Sequence, residues 1–249
     1  MKKNKIQYEW NKSAEAWLDF VRTGKDDCRY YMNNPAMFRI LGSIKGKKIL
    51  DLACGEGYNS RIMARKGAKV TGVDFSNKMI GYAREQDKKD KLGIDYFLGN
   101  AGNLRIFKNN TFDIVTCFMA LQDMKNYKSA INEVHRILKK KGRFVFAMPH
   151  PCFEKTVYQD GKYYRDERYF KNRVYTLYWK MKRLTKHFIT TSFHRTLTEY
   201  SNALYNSGFV ISRLLEPKPT KKGLKVHPNL KEQLLFPQSI VIEAIKSKY

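Results

Sequence analysis

From Lys47 onward, short apolar runs alternate with amphipathic segments, and few folds accommodate that alternation. A run apolar on both faces is a strand buried on both sides, and helices between such strands are the crossovers of a parallel sheet. Lys48 to Leu52 reads as the first strand and Tyr58 to Lys66 as the helix after it. Lys69 to Val73 follows as the second strand, then a helix from Ser76 to about Lys88, with Ser76 as its N-cap. Ile94–Leu98, Phe112–Phe118 and Arg143–Ala147 supply strands three to five, with a helix over Tyr127–Leu138 before the last. That helix is expected to end in Lys-Lys-Lys-Gly142, the lysines complementing its dipole and Gly142 taking a left-handed stop. Beyond residue 195, Thr196 and Glu199 form a capping box for a helix to Asn206, and Gly208 ends it. Strands at Phe209–Leu215 and about Gln238–Ala244 complete the set, with a Pro- and Lys-rich loop from Pro217 to about Asn229 between them. The expected fold is α/β, a doubly wound, seven-stranded, mostly parallel sheet.

Two regions fall outside this pattern. Residues 1–45 carry helical periodicity, with Trp10, Ala14, Trp17, Leu18 and Val21 on one stripe and a second run from Pro35 to Leu41, and read as an N-terminal helical cap. Residues 149–195 hold 11 aromatics, from Phe153 to Phe193, interleaved with basic groups, and read as an insertion. The organisation expected is a single domain over 1–249, with a core at 46–148 that resumes at 196–249.

Composition narrows the partners. A formal charge of +25 invites a nucleic acid. The excess is spread, however: residues 1–50 carry 11 basic and 5 acidic groups, residues 150–195 carry 11 and 4, and lysine outnumbers arginine 33 to 15. Phosphate-reading surfaces lean on arginine forks, so nucleic acid ranks second to a small molecule. The four cysteines have no metal spacing and read as reduced thiols, Cys54 and Cys117 serving as small apolar residues at strand ends. No metal is expected. No long apolar span or signal-type stretch occurs, so the expectation is a cytoplasmic protein with no membrane insertion. The pattern specifies no oligomeric state.

The most informative run is Ile49-Leu50-Asp51-Leu52-Ala53-Cys54-Gly55-Glu56-Gly57. In an open parallel sheet, ligands bind beyond the carboxyl ends of the strands, where small residues let backbone amides approach them. A nicotinamide or flavin fingerprint fails because Ser60 stands at the third glycine position, and no G-K-[ST] phosphate loop exists. The run instead resembles motif I of the class I S-adenosylmethionine-dependent methyltransferases, with Ala53 in place of the first glycine. Val73-Asp74-Phe75-Ser76 is similar to the family's second acidic motif, and Gly99-Asn100-Ala101 to its third, with Asn100 where aspartate is usual. Phe112 to Asp123, Glu133 to Lys139 with Gly142, His150-Pro151-Cys152-Phe153 and His194-Arg195-Thr196-Leu197 extend the resemblance over about residues 8–245. The bacterial subset it resembles comprises small-molecule, ubiquinone-biosynthesis-like enzymes.

The resemblance implies S-adenosylmethionine as cofactor and S-adenosylhomocysteine as product. It implies Asp74 on the ribose hydroxyls, Asn100 on the adenine amino group, and Phe118 and Met119 beneath the methionine portion. Asp51, Ala53, Cys54, Gly55, Gly57, Phe75, Met79 and Ala101 complete the implied cofactor set on the core, and Trp17 and Tyr30 join it from the N-terminal cap. Asp51 and Asp74 taken alone would also suit turn carboxylates, and Gly55 and Gly57 a tight turn. Asp123 suits a ligand or a turn equally. Asp113, at what reads as an edge strand, and His135, on what reads as a solvated helix face, are left out.

Methyl transfer from a sulfonium is an in-line displacement that proximity accelerates, and a base is needed only for an acceptor protonated at working pH. The candidate bases are His150, after strand five, and His194, before the helix that follows the insertion, both expected at the rim. The insertion is expected to form a lid over the acceptor. The leading expectation is a methyltransferase acting on O, N or S of a small molecule. The alternatives are a tRNA or rRNA methyltransferase, for which no N-P-P-Y-type tetrapeptide is present, and a module that binds the cofactor without turnover.

Overall fold

The computed structural model describes residues 5–153, 157–159, 162–164, 168–179 and 188–247. Its element order is α1 (Lys5–Arg22), a π-helical turn (Arg29–Asn33), α2 (Asn34–Leu41), β1 (Lys48–Leu52), α3 (Tyr58–Arg65), β2 (Lys69–Asp74), α4 (Asn77–Asp90), β3 (Asp95–Leu98), β4 (Phe112–Phe118), α5 (Tyr127–Ile137) and β5 (Leu138–Pro149). There follow β6 (Val157–Gln159), β7 (Lys162–Tyr164), β8 (Arg173–Trp179), β9 (Phe188–His194), α6 (Leu197–Asn206), β10 (Phe209–Leu215), α7 (Lys221–Val226) and β11 (Ser239–Lys246).

The seven-stranded sheet runs β10-β11-β5-β4-β1-β2-β3. β1 pairs in parallel with both β2 and β4, while β11 is antiparallel to β5 and β10. The strand order reverses between β1 and β4, which opens a crevice at their carboxyl ends. Successive strand residues point to opposite faces, so Leu50, Leu52, Phe144 and Phe146 pack on one side and Ile49, Val145 and Ala147 on the other. α5 and α6 cover the first face through Ile131 and Leu204, and α2, α3 and α4 cover the second through Met37, Met63 and Ile80. A smaller cluster of Ala16, Phe20, Val21 and Phe188 docks α1 on β9.

Several local expectations are corrected. α5 ends at Ile137, because buried Leu138 turns extended and pairs with Phe112 as the first residue of β5. The left-handed residue is Lys141 (φ 60), and Gly142 is required instead by space, since a Cβ there would lie 2.8 Å from the Lys139 carbonyl oxygen. The helix end is served by a distant cation: Lys246 Nζ donates to the carbonyls of His135 and Leu138, each at 2.7 Å. Asp113 sits on a central strand, accepting from Lys48 N at 2.8 Å and Lys139 Nζ at 2.7 Å, so it ties β4 to its neighbours. His135 packs edge-on against Phe209, 5.2 Å between centroids, and burial pushes its pKa down. The 217–229 loop contains α7, whose Gly223 abuts Tyr31. Beyond β5 the chain forms two antiparallel pairs, β6 with β7 and β8 with β9, and part of the expected 149–195 insertion lies outside the described residues.

Candidate functional site

The β1–α3 turn is built by backbone conformation. Ala53 (φ 54), Gly55 (φ 56) and Gly57 (φ 79) all take the left-handed region, and a Cβ on Gly57 would collide with the Tyr96 hydroxyl. The turn is then locked from the next strand. Gly55 N donates to Asp74 Oδ2 at 2.9 Å, and Ser76 N donates to Asp74 Oδ1 at 2.8 Å. One carboxylate thereby fixes both the turn and the start of α4. Asp51 is held in the same way, accepting from Ser60 Oγ at 2.5 Å and Thr116 Oγ1 at 3.0 Å. Burial pushes both carboxyl groups up to about 6, against the opposing pull of these hydrogen bonds.

These residues line a cavity of about 620 Å³, within the ordinary range for small-molecule sites. Every residue of the expected cofactor set lies on its wall except Tyr30 and Gly57. Tyr30 stands behind the wall: its hydroxyl donates to the Val21 carbonyl at 2.5 Å, and its ring meets Tyr58, which does line the cavity, edge to face. Gly57 caps α3. Asn100 is on the wall, but its side-chain oxygen already accepts from Gly102 N at 2.9 Å.

Neither His150 nor His194 is among the lining residues. Both rings have partners within the protein. His150 is buried, its Nε2 3.2 Å from Glu216 Oε1 and its Nδ1 accepting from Cys152 N at 3.2 Å; burial pushes its pKa down, against the pull of Glu216. His194 is also buried, with Nε2 2.7 Å from the Tyr169 carbonyl oxygen.

Other walls come from the N-terminal cap, the turn after β4 and the β8–β9 pair. Trp10 and Trp17 meet edge to face at 5.4 Å, and the Arg29 guanidinium lies 5.3 Å from the Trp17 ring and 5.6 Å from that of Tyr58. The Leu121–Asp123 turn after β4 contributes Asp123, and β8 and β9 contribute Val174, Thr191 and Phe193. Trp10 and Trp17 are marked in the sequence by their helical stripe, Phe193 by the aromatic run, and Asp123 as an acidic residue just past a strand end; Arg29, Val174 and Thr191 carry no such signal. The site thus has a floor of polar backbone and carboxylates and an opposite wall of aromatics. Among the described residues no cluster could hold a metal ion, and no helix is long and apolar enough to cross a membrane.

Residues 50–146 match a family described as a methyltransferase domain. An uncharacterized protein of Haemophilus influenzae is 28% identical over 199 residues, covering 75% of this chain and 76% of that protein. The ubiquinone biosynthesis O-methyltransferase of Azoarcus sp. is 36% identical over 104 residues, 42% of this chain, so the chain matches under half, 45%, of that enzyme's length. Among solved structures, an S-adenosylmethionine dependent methyltransferase from Mesorhizobium loti superposes with a TM-score of 0.70 at 28% identity, covering 85% of this chain and 96% of that one.

Proposed function

We propose that this chain, a class I S-adenosylmethionine-dependent methyltransferase, delivers the methyl group to an O, N or S atom of a small-molecule acceptor held in the same cavity. The observation that supports this acceptor class is the continuity of the cavity. It runs from the carboxylates at the ends of β1 and β2 to Asp123, Thr191 and Phe193, which are not part of the cofactor set. The residues at the first end suit the cofactor. Asp74 presents a buried carboxylate to the wall, and Ala53 and Gly55 bring backbone to it without long side chains.

When bound, S-adenosylmethionine supplies a methyl group activated by a sulfonium charge. The chain's own residues bind and orient. Asp74 would accept hydrogen bonds from the ribose hydroxyls through lone pairs that the backbone amides of Gly55, Phe75 and Ser76 leave available. Asn100 would offer its amide to the adenine edge, and Phe118 and Met119, which line the cavity, would lie against the methionine portion. Trp10, Trp17 and the β8–β9 pair close the remaining side and exclude water, the role we give to the described part of the lid. Because the histidine rings are engaged elsewhere, we assign the proton to neither of them.

Calorimetric titration with S-adenosylmethionine, followed by methyl-release assays on a metabolite panel and on bulk RNA, tests this reading. Saturable binding with turnover of a small molecule is expected. Turnover confined to RNA would replace the acceptor class, and absence of binding would overturn the site.

A further inference from the structure

Four carboxylates line the cavity, and three are committed to the frame. Asp51 takes hydrogen bonds from Ser60 and Thr116, Asp74 from backbone amides, and Glu56 is paired with Arg61 at 2.8 Å. The fourth is Asp123. It lies at the carboxyl end of β4, four residues past Met119, in a turn on which β9 packs. Ser192 of β9 hydrogen-bonds its side chain. Two charged neighbours act on it in opposite directions, Arg195 just before α6 and Glu9 of α1.

The arrangement around Asp123 is built. Arg195 donates to the Met124 carbonyl at 2.7 Å, and its guanidinium sits 4.1 Å from the Tyr127 ring and 4.9 Å from that of Phe193. Its hydrogen bond thus holds the residue following Asp123 rather than the carboxylate itself. Thr191 Oγ1 donates to Glu9 Oε2 at 2.7 Å, and Lys5 lies 3.7 Å from Glu9 Oε1, so Glu9 has its own partners. Lys5 and Lys125 are the other charged groups on this part of the wall. Thr191 and Phe193 line the same cavity.

We propose that Asp123 is the catalytic base of this enzyme, binding the hydroxyl of a phenol-type acceptor and taking its proton during methyl transfer. This rests on the reading of the cavity as a methyl-transfer site. In the step, a lone pair of the acceptor oxygen forms the new carbon–oxygen bond while the carbon–sulfur bond breaks and its electron pair stays on sulfur. The hydroxyl proton passes to an Asp123 carboxylate oxygen. A sulfonium and a carboxylate before the step become a neutral thioether and a neutral acid after it, so charge is conserved. A phenol-type hydroxyl is favoured because a carboxylate takes a phenol's proton far more readily than an alkanol's, because Trp10, Trp17 and Phe193 supply aromatic side chains to the cavity, and because Glu9 and Asp123 place two carboxylates where an anionic acceptor would be repelled.

Burial is the main cause that pushes Asp123 up to about 7, the repulsion of Glu9 adding to it and Ser192 and Arg195 opposing it. A base poised near working pH is the efficient one. The shift also has a consequence that needs no acceptor. With the folded-state value raised above the ordinary 3.8, stability falls as pH rises from about 4 to about 7. Asp123→Asn removes that loss.

The test compares wild type, Asp123→Asn and Ser192→Ala, using a panel of phenols with catechol as reference. The wild type is expected to turn over a member of the panel with an ascending pH limb near 7. Asp123→Asn is expected to lose about 10²–10⁴-fold in kcat, and the limb with it, at unchanged cofactor affinity. Ser192→Ala, which deletes a hydrogen bond to the charged form, moves the limb to higher pH. Independently, the Tm of Asp123→Asn minus that of wild type grows by a few °C from pH 4 to pH 8. Asp123→Asn turnover within threefold of wild type, a limb indifferent to both substitutions, or cofactor binding without turnover of any phenol overturns the proposal. Failure of the wild type to bind S-adenosylmethionine at all overturns the underlying reading instead.

Discussion

The two ends of the cavity are made by different means. At the cofactor end, the determinants on the core lie within a few residues of a strand terminus, with Trp17 added from α1, and main-chain hydrogen bonds set the geometry of the turn: Asp74 receives Gly55 N and Ser76 N, and Cys54 N donates to the Val73 carbonyl at 3.0 Å. At the acceptor end, Glu9 and Thr191, separated by 182 positions, are brought together by side-chain packing of α1 on β9. The first end is therefore a property of the sheet, common to chains that build this turn. The second is a property of appended segments, and it is the end at which we place the acceptor.

That contrast can be broken at several points. Gly57→Ala should be the most damaging single change, because it combines a left-handed φ with a collision against the buried Tyr96 ring; a loss of roughly 2–4 kcal/mol in urea unfolding is expected. Wild-type stability would show that Tyr96 yields. Trp17→Ala removes a ring that touches Trp10, Phe20, Trp179 and Phe188, and should cost about 2 kcal/mol while loosening α1. Hydrogen exchange should rise in α1 and β9 and stay unchanged in β1 and β4; uniform change would mean the two ends are not separately built.

Proton release sharpens the same comparison. A bound sulfonium favours the charged forms of Asp51 and Asp74, both pushed up to about 6, so their pKa values fall on binding and protons are released near pH 6. Titrations in buffers of different ionisation enthalpy should show this release for S-adenosylmethionine and less of it for S-adenosylhomocysteine, which lacks the charge. Equal release by the two ligands would remove the electrostatic coupling. The smallest effect is expected from Ala53→Gly, which relieves a left-handed alanine (φ 54) and should stabilise the fold by up to about 1 kcal/mol, since glycine's greater unfolded-state freedom offsets part of the gain. A lowered Tm would mean the turn needs the methyl group.

The same division explains what could be read beforehand. The sheet was legible because Leu50, Leu52, Val115 and Phe146 lie in short, mostly apolar runs broken only by single polar residues such as Asp51 and Thr116, a pattern that buried parallel strands share. Asp51 and Asp74 were legible because an acid at a strand end followed by small residues has a chemical use there. The end of α5 was not: Lys-Lys-Lys-Gly142 imitates a helix stop, and only the pairing of Leu138 with Phe112 across the sheet decides otherwise. β8 exposes alternate residues, Val174, Thr176 and Tyr178, but its apolar and polar sides are mixed with charge, so its period was hidden. His150 and His194 stood at plausible chain positions, and only the fold shows that their rings meet Glu216 and the Tyr169 carbonyl and that neither residue lines the cavity. Asp123 was ambiguous for the same reason, since its neighbours come from two remote segments, Glu9 from α1 and Ser192 and Arg195 from the end of β9 and the residue after it.

The most direct measurement is one calorimetric titration of S-adenosylmethionine into wild type, Asp74→Ala and Asp123→Asn side by side. Loss of a charge-assisted bond should weaken Asp74→Ala by about 1–3 kcal/mol, roughly 5- to 150-fold, and Asp123→Asn should bind within about threefold of wild type. Wild-type affinity in Asp74→Ala, or an equal loss in both variants, would contradict a cavity with separate cofactor and acceptor ends.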